Sequence, residues 1–153
     1  MPELRTRHLF DIRIDYHLSE AVGRTPAGTR SITTLTGGSF EGERMRGVVL
    51  PTAGNDWALR RADGNVDVNV RLLLRTDDEA VIYMHYTGLI VASPPVMSRL
   101  LRGESLDVAE YAMLTTARFE TSAAPYGWLN RVMTVGSAEL FADRTEYTVH
   151  EIV

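Results

Sequence analysis

Three groups of side chains able to move a proton or hold an anion recur in strand-like stretches of this chain. Glu41, Asp56 and Glu120 are carboxylates, and a carboxylate in an apolar or crowded pocket has its pKa raised toward the working pH, where it can take up and return a proton. Arg30, Arg46 and Arg118 supply fixed positive charge, suited to binding a carboxylate or to stabilising an enolate or phenolate that develops during reaction. Tyr83 and His85 are two residues apart, so on a strand they share a face and can act as proton donor and acceptor. Trp57, Tyr83, Tyr126 and Trp128 offer flat apolar walls with a polar edge, and Asn130 shares the face of Tyr126 and Trp128 by its spacing.

Together these residues point to cofactor-independent acid–base chemistry, of lyase or isomerase type, on an aromatic or carbonyl-bearing metabolite. Glu120 or Asp56 would shuttle the proton, with Tyr83 and His85 as further catalytic candidates. Arg118 and Arg46 would hold an anion, while Tyr83, Tyr126, Trp128 and Asn130 orient the substrate; Arg30, Glu41 and Trp57 complete the binding set. The same residues also fit a barrel that carries a ligand without turning it over, its Arg and Glu locked in static pairs across strands. A structural oligomer with a filled interior is the third reading.

Other chemistries find less support. His8, His17, His85 and His150 show neither His-x-His nor His-x-x-x-His spacing, and the chain has no cysteine, so no metal site, thiolate nucleophile or disulfide is expected. Thr36-Gly37-Gly38-Ser39-Phe40 is glycine-rich but lacks the Gly-Lys-Ser/Thr ending and following helix of a phosphate loop, and reads as a strand corner. Ser39 and Ser137 have no nucleophile elbow around them. No cofactor is implied. With 16 Lys+Arg against 20 Asp+Glu the net charge is -4, and Arg is spread along the chain, which speaks against a nucleic-acid partner. No segment approaches the ~20 continuous apolar residues of a membrane span, and Met1-Pro2-Glu3-Leu4-Arg5 has no apolar signal core behind it. The expectation is a cytoplasmic protein whose partner is a small organic molecule, with no nucleic acid and no membrane; homo-oligomerisation is compatible with every reading.

The elements that must position these side chains are mostly strands. Over Leu9 to Leu18, Phe10, Ile12, Ile14, Tyr16 and Leu18 take one face and Asp11, Arg13, Asp15 and His17 the other. Pro26-Ala27-Gly28 is a turn, Arg30 to Leu35 a Thr-rich extended run, and Gly37-Gly38 a second break. Arg44 to Leu50 is extended and stops at Pro51, and Thr52 to Asn55 delivers Asp56-Trp57 into the next strand. Asp63-Gly64 makes a tight two-residue hairpin turn, because Gly accepts positive φ. Val66, Val68, Val70, Leu72 and Leu74 alternate cleanly along the following strand, Asp77-Asp78 turns the chain, and Ala80 to Thr87 is extended again. A helix begins at Ser93-Pro94-Pro95 and ends at Gly103. Asp107-Val108-Ala109-Glu110 has capping-box spacing for a helical turn leading to Tyr111. Strands resume at Met113 to Thr121, Tyr126 to Ser137 and Thr145 to Ile152.

Residues 1–153, with 44% hydrophobic content, are enough for one buried core and one domain. The fold class is all-β, mainly antiparallel: a closed or strongly curled barrel of roughly eight to ten strands with one short helix, because closure removes the exposed edges so many strands would leave, with a sandwich as the structural rival. A barrel of about eight strands has room for side chains plus one small ligand.

Several blocks resemble a known family. Gly23 to Arg30, Thr36 to Gly42, Arg46 to Pro51, Asp56-Trp57, Asp63-Gly64, Thr76-Asp77-Asp78, Ile82-Tyr83, Pro94-Pro95, Arg118 to Thr121 and Tyr126 to Asn130 together look like the domain-of-unknown-function 3237 family. The resemblance covers nearly the whole chain and implies a small antiparallel β-barrel whose biochemical role is mostly unassigned. The chain also departs from that pattern. Met84-His85-Tyr86-Thr87-Gly88 stands where the family usually has Val, Arg, Asn, Arg, Gly; Ala117 replaces a usual Pro, and Glu79 a usual Gly.

Overall fold

In a computed structural model, which describes residues 3–153, the alternation of residue types becomes an inside and an outside. Nine strands form one sheet: β1 (Thr6–Thr25), β2 (Gly28–Glu41), β3 (Arg46–Val49), β4 (Asn55–Arg60), β5 (Val66–Thr76), β6 (Val81–Ala92), β7 (Tyr111–Glu120), β8 (Thr134–Leu140) and β9 (Arg144–Ile152). Every neighbour is antiparallel, and β1 pairs with both β9 and β2, which closes the sheet into a barrel. β3 and β4 share one stave. β2 pairs with β4 over Thr29–Thr34 and with β3 over Ser39–Glu41, and β5 meets both from the other side, so nine strands make eight staves.

Period-two alternation determines what fills the barrel. Phe10, Ile12 and Ile14 from β1, Val66 to Leu74 at alternate positions from β5, and Ile82, Met84 and Tyr86 from β6 are buried. Leu18 lies in β1, but its side chain is outside the described residues, as are Met1 and Pro2. At one end of the core, Phe10 stacks against Phe40 and Phe119 with ring centroids 5.7 and 6.0 Å apart. Outward positions, such as Arg118 and Glu120 on β7, are exposed. No helix among the described residues is long and apolar enough to cross a membrane.

The helical elements cap the ends. α1 (Pro94–Leu101) starts after Ser93 with prolines in its first turn and buries Met97. Asp107 caps a 3-10 turn at Val108–Glu110 with both bonds of the capping box present. The strand expected over Tyr126 to Ser137 is divided. Ala124–Arg131 is a 3-10 helix, and extended structure begins only at Thr134. Pro125 fixes φ and has no N–H for a strand ladder, while the Tyr126 N–H turns back to the Ala123 carbonyl at 3.0 Å. The helix drives Leu129 into the core at 0% exposure and plugs the phenylalanine end of the barrel. Beside it Glu151, also buried, accepts from Arg7 at 2.7 Å and from Arg44, whose guanidinium lies 3.8 Å from the Trp128 ring centroid.

Two turn expectations also change in detail. Gly37-Gly38 does not break the strand: β2 runs through it with a bulge, in which Asp15 faces Gly37, Tyr16 faces Leu35 and Thr36 is skipped. The Asp63-Gly64 hairpin is longer than two residues. The Arg61 N–H meets the Asn65 carbonyl at 2.8 Å, and Gly64 takes φ +87° within the loop, the pattern of a type I turn followed by a left-handed residue.

Two positions give measurable consequences. At Gly38, with φ +140°, an added Cβ would lie 1.9 Å from the Arg13 carbonyl oxygen. Gly38→Ala should therefore lower the urea midpoint, with a loss of at least ~2 kcal/mol. Glu79 occupies the left-handed region at φ 70°, so Glu79→Gly should raise stability by up to about 1 kcal/mol in the same measurement.

Candidate functional site

The end of the barrel opposite the phenylalanine cluster is hollow. A cavity of about 440 Å³ runs in from the mouth, walled by Val66, Val68 and Val70 of β5, Ile90 of β6 and Met113 of β7, with α1 laying Met97 over it. Apolar walls leave the few polar side chains to decide what binds. Those are Asp56 from β4, Tyr16 from β1, Tyr86 from β6, Thr145 and Tyr147 from β9, and the hydroxyls of Ser19 on β1 and Thr29, Ser31 and Thr33 on β2, while exposed Arg60 and Glu104 stand at the edge.

Alternation along β4 turns Asp56, Ala58 and Arg60 toward the cavity and Trp57 away from it. β4 and β5 pair at Asp56↔Val70 and again at Leu59↔Asp67, with two residues of each strand left unpaired between. Across that gap the Asp56 carboxylate accepts the Asn69 backbone N–H at 3.2 Å, so a side chain replaces a ladder bond. Burial disfavours the charged carboxylate and pushes its pKa up to about 6, against the opposing pull of the Asn69 N–H.

The three tyrosines behave differently from one another. The Tyr16 hydroxyl donates to the carbonyls of Phe141 at 2.5 Å and Arg144 at 2.9 Å, which pins it to the β8–β9 turn. Tyr86 donates to the Tyr147 oxygen at 2.8 Å, with the two rings edge to face at 5.3 Å. Burial raises the pKa of all three, and the nearby Asp56 charge raises them further. They remain phenols at neutral pH.

Most residues singled out by their type lie elsewhere. Arg118 and Glu120 project outward from β7, in register with His85 and Tyr83 on the outer face of β6, because Ala117, Phe119, Met84 and Tyr86 occupy the inner positions. His85 Nε2 lies 2.9 Å from Asn69 Oδ1, and its pKa is lowered by partial burial and by Arg71. Glu41 and Arg46 face each other across β2 and β3, and Arg46 reaches Asp77 at 3.8 Å. Arg30 donates to the Trp57 carbonyl at 2.8 Å in an outer groove. Tyr126 donates to Asp78 at 2.8 Å, Trp128 lies under Arg44, and Asn130 takes the Thr121 N–H at 2.8 Å and returns a bond to its carbonyl at 2.9 Å. These last three do not share a strand face, since they lie on the 3-10 plug. The cavity thus contains Asp56 from the expected set and adds Tyr16, Tyr86, Tyr147 and Thr145, with the hydroxyls of Ser19, Thr29, Ser31 and Thr33. A signal for the additions was present: each tyrosine alternates with residues of a buried face, Tyr16 with Ile14, Tyr86 with Met84 and Tyr147 with Val149. Of the two side chains exchanged at 85–86 relative to the resembled pattern, His85 faces out and Tyr86 faces the cavity.

The family model for proteins of unknown function DUF3237 matches residues 4–152. The chain belongs to that family. A UPF0311 protein of Rhodopseudomonas palustris is 32% identical over 152 residues, covering 99% of each chain. The crystal structure of a conserved protein of unknown function from the same organism matches with a TM-score of 0.95 at 32% identity, covering 100% of both chains. A hydroalkoxylation enzyme of Penicillium herquei is 28% identical over 114 residues, 74% of this chain and 60% of that one. Family membership thus agrees with the barrel, and these relatives include both proteins of unknown function and an enzyme.

The raised Asp56 pKa sets a stability signature. Below about 3.8 both folded and unfolded chains carry the proton; between 3.8 and about 6 the unfolded chain ionises while the folded one holds its proton, and above about 6 the folded state also bears a buried charge. Stability from this group is therefore present at low pH and lost as pH rises through that window. Asp56→Asn should abolish this slope and be more stable than the parent at pH 7, by roughly 2 kcal/mol after discounting for the part-exposure of the carboxyl, as chemical denaturation at stepped pH would show.

Proposed function

We propose that the protein is a cofactor-independent acid–base enzyme of lyase or isomerase type, acting on a small aromatic or carbonyl-bearing molecule bound in the barrel mouth, with Asp56 as the proton-transferring group. The observation that carries this reading is a single carboxyl group with a pKa near 6 facing an apolar cavity. A base with that pKa is largely ionised at neutral pH, and its conjugate acid is still able to return the proton. Among the described residues the site has no inward-facing partner cation for Asp56 except Arg60 at the exposed edge, which favours a substrate of little charge.

The Penicillium herquei relative supports the reaction class. Hydroalkoxylation adds an O–H across a C=C bond, so a proton leaves oxygen and a proton arrives on carbon. Performed within one molecule it is an isomerisation, and its reverse is an elimination. In this chain Asp56 would take the hydroxyl proton as the oxygen attacks, the C=C electron pair would move toward a conjugated carbonyl oxygen, and protonated Asp56 would deliver the proton to carbon.

Ring closure of 2′-hydroxychalcone, followed by loss of its absorbance, tests the reading. The protein should accelerate closure, with kcat/KM rising with pH and levelling above about 6 as Asp56 ionises. Asp56→Asn should lower kcat by about 10²–10⁴-fold, while Glu120→Gln on the outer face should leave it unchanged. A protein that binds the chalcone equally well with Asp56 or Asn at this position, and closes it no faster than buffer, is a carrier barrel and not an enzyme.

A further inference from the structure

Among the three tyrosines of the mouth, one hydroxyl proton is left without an acceptor. A neutral phenol has one proton to give and an oxygen that accepts. Tyr16 gives its proton to the Phe141 and Arg144 carbonyls, and Tyr86 gives its proton to Tyr147. The Tyr147 oxygen is the receiving end of that bond, and no hydrogen bond found among the described residues takes its own proton. Both Tyr86 and Tyr147 line the cavity.

We infer that the Tyr147 O–H is a free hydrogen-bond donor of the cavity and holds the carbonyl or developing enolate oxygen of the bound molecule, with Tyr86 as the residue that positions it. The inference rests on the proton-transfer reading of this cavity and names the substrate class for it: a neutral molecule in which a carbonyl is conjugated to, or adjacent to, the carbon that gains or loses a proton. A hydroxyl that already accepts a bond donates a stronger one, because the two bonds polarise each other. Against apolar walls, a fixed donor of this kind stabilises charge as it builds on oxygen without first reorganising water. Asp56 and Tyr147 then divide the work, one carboxylate for the proton and one phenol for the oxygen. The raised pKa of Tyr147, which burial causes first, keeps it protonated while Asp56 is ionised. Tyr86 stands where the resembled pattern has Asn, so a phenol as the donor to Tyr147 is a feature of this chain.

An unreactive ketone separates this inference from the reaction. Infrared spectra of carbonyl-¹³C-labelled 2-acetylnaphthalene bound to the protein should show the C=O stretch well below its value in hexane. Tyr147→Phe should return the stretch toward the hexane value and weaken binding about tenfold, the loss of one buried hydrogen bond. Tyr86→Phe should keep a lowered stretch, since Tyr147 still donates. The double variant Tyr86→Phe/Tyr147→Phe, which leaves no orphaned hydroxyl, should fold, bind the ketone and show no shift. A stretch that survives Tyr147→Phe, one that disappears with Tyr86→Phe instead, or a ketone that does not bind the parent protein overturns the inference. Asp56→Asn should leave the shift intact: an unchanged shift with a fully active Asp56→Asn enzyme overturns the proposed base alone, and an inactive Asp56→Asn enzyme whose shift is insensitive to Tyr147 overturns this inference alone.

Discussion

The hydrogen bonds that join β1 to both β9 and β2 close the sheet on itself, and the rest of the molecule depends on that closure. A closed sheet has no edge and only two sides, so each strand residue is committed to the interior or to the surface by its position modulo two. A slip of one residue in β4 would put Asp56 outside and Trp57 inside. The bulge opposite Asp15 and Tyr16 is one place where that count is deliberately shifted, and it sets where β1 and β2 meet at the mouth.

Two carboxylates turned away from solvent in this barrel are treated in opposite ways. Glu151, near the plugged end, accepts from Arg7 and Arg44, and the aromatic face of Trp128 holds Arg44 from the other side. That group is neutralised, which suits a structural tie and leaves nothing for chemistry. Asp56, near the open end, receives one backbone N–H and faces apolar walls. Burial without a partner cation raises its pKa, at a cost in stability that an ordinary surface aspartate would not incur. The contrast is the reason the proposed chemistry is placed at one end of the barrel only.

The blocks that carry the family resemblance are largely the ones that build the barrel. Tyr126 to Asn130 form the plug, with Tyr126 tied to Asp78 and Asn130 to Thr121; Arg118 and Glu120 lie outside on β7. Ala117, which replaces a usual proline, gives its N–H to the Thr134 hydroxyl at 3.0 Å, a bond proline could not make. Glu79, which replaces a usual glycine, retains a backbone conformation that glycine adopts more readily. Both departures fall on backbone geometry, whereas Tyr86 changes the chemistry of the cavity wall.

Residue order by itself determined the antiparallel barrel, the helix after Ser93, the capped turn at Asp107 and the burial of Val66 to Leu74, because these follow from local alternation, capping and turn chemistry. It also placed Asp56 among the candidates. It could not distinguish Asp56 from Glu120, since alternation separates two faces of a strand without saying which one closes inward when both carry polar residues. Nor could it join Tyr16, Tyr86 and Tyr147, which lie on three strands far apart in the chain and meet only where the ring closes. Their hydrogen-bond directions, and the raised pKa of Asp56, exist only once that closure has removed water from one end of the barrel.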